Sequence, residues 1–103
     1  MFDLPALEDA AALVHAAFPP TPQHAWPLLA ARTGAEVWVK HENHTPTGAF
    51  KVRGGVTYMR ALTRDRPHVR GVISATRGNH GQSLAWAGAR AVVIFRQDAV
   101  RER

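Results

Sequence analysis

The chain has 103 residues, thirteen Lys or Arg against eight Asp or Glu, and no cysteine. That length suffices for one small domain burying about 65% of its unfolded surface, and a 46% apolar, 20% charged composition is globular rather than disordered. Disulfides and thiolate–zinc sites are excluded, no apolar run approaches the roughly 18 residues that span a bilayer, and the net charge of +5 suits anionic ligands as well as nucleic acid.

Leu4, Leu7, Ala11, Val14 and Phe18 recur at helical spacing, with Asp3 placed to cap and Pro5 tolerated in the first turn, which predicts an amphipathic helix. The acid in Met1-Phe2-Asp3-Leu4, where a signal peptide would carry bases, points to a cytoplasmic protein. Pro19, Pro20 and Pro22 force an extended connector. Trp26 to Arg32 reads as a short helix closed by Thr33-Gly34, and Glu36 to Lys40 as the first strand. His41 and His44 have a spacing seen in metal sites, but no third ligand is nominated, so no metal is expected.

Pro46 and Gly48 then break the chain, Thr47 is the expected N-cap, and Phe50, Val52, Val56, Tyr58, Met59 and Leu62 carry an amphipathic helix. Lys51 falls in its first turn, near the positive end of the helix dipole, a placement that costs an exposed cation roughly 0.3 to 1 kcal/mol. Only a neutral amine attacks a carbonyl, so such a place suits a Schiff-base lysine, although a surface lysine at a helix start gives the same spacing. Arg60 to His68, with Pro67, reads as a helix end and linker, and Val69 to Ser74 as a second strand.

The run Ser74-Ala75-Thr76-Arg77-Gly78-Asn79-His80-Gly81-Gln82 follows that strand and leads into a helical pattern through Leu84 and Trp86. Unpaired backbone donors and the helix dipole make such a turn a binder of anions. Gly88 is expected to close this helix early, Ala91 to Phe95 to form a third strand, and Asp98 to cap a helix that Arg103 ends in its first turn. Both candidate turns hand a strand over to a helix, and ligands of open α/β sheets gather at the carboxyl ends of strands, so the two could line one crevice.

From Lys40 to Gly54 the sequence resembles the pattern Lys-x-Glu-x-x-x-Pro-Thr-Gly-Ser-Phe-Lys-x-Arg-Gly of the fold type II pyridoxal-phosphate enzymes, with Ala49 in place of serine, and within them the serine/threonine dehydratases (threonine ammonia-lyases). Thr76 to Gln82 is similar to their Ser-x-Gly-Asn-His-Ala/Gly-Gln loop, Pro20-Thr21-Pro22 to the Thr-Pro after their first helix, and the likeness covers most of positions 18 to 95. The resemblance implies an α/β, partial and truncated tryptophan-synthase-beta-like fold. Residues 1–66 would be the N-terminal part of the large cofactor-binding domain, and residues 67–103 the start of the small domain with the substrate-carboxylate loop.

It further implies pyridoxal 5'-phosphate as cofactor, Lys51 as the Schiff-base and proton-transferring lysine, Phe50 packed beside the cofactor and Asn79 bonded to its 3-oxygen. Thr76, Asn79 and His80 would hold the substrate carboxylate. The implied lyase reaction is dehydration and deamination of L-threonine or L-serine to a 2-oxo acid and ammonia. Arg77 replaces a small residue that, as serine, serves racemases as an acid–base group, which argues against racemisation. The family's glycine-rich phosphate loop is missing, since Gly54-Gly55 is the one adjacent glycine pair and no glycine run follows Gly81. The chain is therefore expected to be too short to act alone, needing a missing C-terminal part or a homo-oligomer. A noncatalytic remnant or partner-binding subunit is the alternative, and the scattered arginines leave nucleic-acid binding a distant third.

Overall fold

The computed structural model describes residues 3–91 and the backbone of 94–98. Helix α1 (Leu4–Ala17) is followed by strand β1 (Gln23–Ala25), helix α2 (Pro27–Thr33), strand β2 (Trp38–Lys40) and a single 3₁₀ turn at Glu42–His44. Helix α3 (Lys51–Asp65), strand β3 (Gly71–Ala75), helix α4 (Asn79–Arg90) and strand β4 (Ile94–Asp98) complete the order.

The ends of the first helices follow the side chains available to satisfy their free backbone groups. Asp3 accepts a hydrogen bond from the Ala6 amide at 3.0 Å and so caps α1. Gly34 closes α2 in the left-handed conformation at φ 70°. The proline connector delivers β1 antiparallel to β2, pairing Gln23 with Lys40 and Ala25 with Trp38. Sequence spacing gives no strand there, because a three-residue strand acquires its hydrogen bonds from a partner fifteen residues away rather than from its own pattern.

Strands β3 and β4 pair in parallel, Gly71 opposite Ile94 and Ala75 opposite Asp98, with α4 as the crossover between them. This is the α/β unit expected from the sequence. Helix α4 does not stop at Gly88: that glycine is buried inside it, and the helix runs to Arg90. Asp98 belongs to β4 rather than to a cap, and the helix expected beyond it lies outside the described residues. The core is small. Val14 and Phe18 of the first segment meet Val52, Val56 and Met59 of α3 and Leu84 and Ala87 of α4. Phe18 sets its ring edge against Trp86, with centroids 5.8 Å apart.

Candidate active-site cleft

Lys51 is the first residue of α3, and Phe50 before it caps the helix without any side-chain hydrogen bond. The expected cap, Thr47, is not one: its hydroxyl lies 3.5 Å from the Ala49 carbonyl, too far for a useful bond. The buried Thr45 does the work instead. Its hydroxyl accepts from the Ala49 amide at 2.9 Å and donates to the Ala49 carbonyl at 2.8 Å, which folds the chain into a closed turn just before the lysine. Gly48 within that turn has φ 68°, a conformation that other residues resist.

A second fastening reaches back from the same helix. Arg53 grips Glu42 with two bonds, Nε to Oε2 at 2.7 Å and Nη2 to Oε1 at 2.9 Å. The Thr21 hydroxyl donates to the same carboxylate at 2.7 Å, and Lys40 Nζ donates to the Thr21 carbonyl at 3.1 Å. The Arg53 guanidinium holds the Glu42 carboxyl down to about 2, with Thr21 and the Lys40 charge assisting against partial burial. The glutamate and arginine of the lysine motif thus tie the first turn of α3 to the proline connector.

The loop after β3 is fastened from within. Thr76 Oγ1 accepts from the Gly78 amide at 3.2 Å and the Gly81 amide at 3.0 Å, and a side chain on Gly81 would press to 2.5 Å from the Thr76 methyl. Asn79 and His80 begin α4 and are exposed. Helix α4 lies directly on α3, where the buried Ser83 hydroxyl donates to the Lys51 carbonyl at 2.7 Å.

Between α3, β3 and the start of α4 opens a cleft of about 630 Å³. Phe50, Lys51 and His80 line it, and Thr76 and Asn79 are not among its walls, so three of the five expected site residues meet there. Tyr58, Val72, Ile73 and Leu84 supply apolar wall that no local pattern nominates, because the wall exists only once α3 is laid beside β3. His41, by contrast, is taken up in an aromatic group: its Nε2 accepts from the Trp26 indole N–H at 3.1 Å, and its ring lies 5.6 Å from that of His24 and 6.1 Å from that of His44. Among the described residues, no three His, Cys, Asp or Glu side chains gather as a metal site would need.

An amine at a helix start, an aromatic neighbour and an apolar cleft that ends at a second helix start are thus brought together, at the place where α/β folds commonly bind small ligands. Comparison with known proteins agrees. A model of the family described as pyridoxal-phosphate dependent enzyme matches residues 14–102, and the chain belongs to that family. It is 31% identical over 80 residues to the biosynthetic L-threonine dehydratase of Corynebacterium glutamicum, covering 78% of this chain and 18% of that protein. It is 40% identical over 60 residues to the L-threonine ammonia-lyase of Thermotoga maritima, covering 58% of this chain and 15% of that protein.

Among solved structures, a pyridoxal 5'-phosphate-dependent aspartate racemase superposes with a TM-score of 0.84 at 29% identity, over 92% of this chain and 30% of that one. The architecture is therefore a partial fold type II domain, and pyridoxal phosphate is the cofactor of its family. The cleft fits the ring of that group, which needs an amine for its aldehyde and apolar faces.

Proposed function

We propose that this chain carries the lysine side of the active site of an ammonia-lyase that removes water and then ammonia from L-threonine or L-serine, leaving a 2-oxo acid. The observation that supports it most is the meeting of Lys51 and His80, from two separate strand-to-helix turns, in one apolar cleft. In this reading Lys51 Nζ holds the cofactor and afterwards moves the proton at the substrate α-carbon. With the cofactor bound, Phe50 would cover the ring, and Asn79, which starts α4 beside the cleft rather than in its wall, would supply the hydrogen bond to its 3-oxygen. Thr76, Asn79 and His80 would receive the substrate carboxylate, in a loop whose shape the Thr76 hydroxyl also sets through the Gly78 and Gly81 amides. When bound, the cofactor supplies the electron sink that makes the α-proton removable.

In this reading residues 1–66 belong to the large domain and residues 67–103 open the small one. No helix among the described residues is long and apolar enough to cross a membrane. Arg77 stands where racemases of this fold use a small residue, which favours elimination over racemisation.

A second reading, a noncatalytic partner-binding subunit, is favoured by the exposure of Phe50 (62%), Tyr58 (51%) and Ile73 (65%) around the cleft. Absorbance separates the two. Mixed with pyridoxal phosphate, the chain develops at best a weak visible band, which disappears in Lys51→Ala. Saturable binding together with 2-oxo acid from threonine supports the lyase, whereas a flat spectrum at high cofactor concentration leaves the partner-binding reading.

A further inference from the structure

We propose that Ser83 is a positioning residue that sets the distance between the Lys51 amine and the loop at His80; the inference rests on the cleft being the cofactor site proposed above. Ser83 is 1% exposed, and its hydroxyl donates to the backbone carbonyl of Lys51 itself, 2.7 Å away. That carbonyl belongs to the first residue of α3, just after the Phe50 cap, so the serine bonds to the turn that carries the lysine.

The two helices cross at this point. A side chain on Gly55, one turn beyond Lys51, would collide with Ser83 Oγ and stand 2.9 Å from the Ser83 carbonyl oxygen. His80 lies one turn before Ser83 on α4, as Lys51 lies one turn before Gly55 on α3. The crossing is thus a pivot from which both helix starts extend by the same single turn into one cleft.

The loop is pinned to α4 by Thr76 and the Gly81 amide, and α4 is pinned to the lysine's turn by Ser83, so hydrogen bonds fasten the loop to α4 and α4 to the Lys51 backbone. A van der Waals contact between helices permits sliding, because its energy changes slowly with register, whereas a hydrogen bond at 2.7 Å fixes both position and rotation. Losing the hydroxyl leaves the Lys51 carbonyl its helical partner, so the fold survives while the register loosens.

The chain offers its own control, since Lys40 and Lys51 are its two lysines and Lys40 is engaged elsewhere, at the Thr21 carbonyl. The 103-residue chain is treated with pyridoxal phosphate, reduced with borohydride and digested, and the labelling of each lysine is read by mass. In the wild type, Lys51 is labelled at least tenfold faster than Lys40. In Ser83→Ala that preference falls at least threefold with an unchanged helical circular-dichroism spectrum, and the Lys40 rate stays the same. Ser83→Cys, of similar size with a weak S–H donor, gives an intermediate preference and serves as the reading if the alanine variant does not fold.

A wild-type preference retained in the folded variant overturns the role of Ser83 and leaves the cofactor site standing. Equal labelling of the two lysines in the wild type overturns the cofactor site and the inference with it.

Discussion

Glu42 and Arg53 show how single side chains prepare the place where Lys51 sits. Their paired bonds are about three-quarters shielded from solvent, with 23% and 26% of the two side chains exposed. Removing one partner leaves the other short of bonds, and Arg53→Met or Glu42→Gln should cost about 1 to 3 kcal/mol in urea unfolding. The pH dependence has a definite sign. A carboxyl whose folded value is lowered from 4.5 to about 2 contributes stability that is fully present above its unfolded value and is lost as pH falls toward 2. Stability of the wild type should therefore decline from near pH 4.5 downward, and Glu42→Gln should flatten that decline.

Helix α3 is an element whose two adjacent glycines have opposite duties. Nothing lies within 4 Å of where a Gly54 side chain would stand, whereas Gly55 faces the Ser83 backbone. Gly54→Ala should therefore gain about 0.5 to 1 kcal/mol from helix propensity. Gly55→Ala should lose about 1 to 3 kcal/mol through overpacking, with thermal midpoints moving in opposite directions. The turn before α3 gives a matching pair of threonines. Thr45→Val strands the buried Ala49 amide and should cost about 1 to 3 kcal/mol, while Thr47→Ala, which breaks no good bond, should stay within about 0.5 kcal/mol. A helix propensity scan would rank the glycines alike and favour Thr47 as cap, since neither the neighbouring helix nor the closed turn is visible to local pattern.

At the scale of the molecule, the chain is open. Its radius of gyration is 16.8 Å, where about 13 Å is usual for a domain of this length. Its accessible surface is 7942 Å², where roughly 5,700 Å² is usual for a monomer of its mass. The excess is partly apolar and partly at the cleft, where Phe50, Tyr58 and Ile73 stand exposed. The folded chain should bind a hydrophobic dye such as anilinonaphthalene sulfonate, and Ile73→Ser should reduce the fluorescence without lowering the melting midpoint, because Ile73 contributes little to the core. The chain spans 18% of the length of the Corynebacterium relative and 15% of the Thermotoga one, so a cleft open on one side is what this stretch of the family's architecture presents by itself.

Sequence alone determined the helices of α1, α3 and α4 and the strand that precedes the second turn, while Lys51 and the Thr76–His80 loop were nominated by their resemblance to a family's motifs. These are written in residue type and spacing, and spacing along a chain is a local property. The tertiary structure decided that Thr45 rather than Thr47 shapes the turn, that α4 runs through Gly88, that β1 exists, and that Lys51 and His80 share a cleft while Asn79 and Thr76 stand outside its walls. Each of these depends on which atom lies across from which, and that is fixed only when two helices from distant parts of the chain come into contact at Ser83 and Gly55.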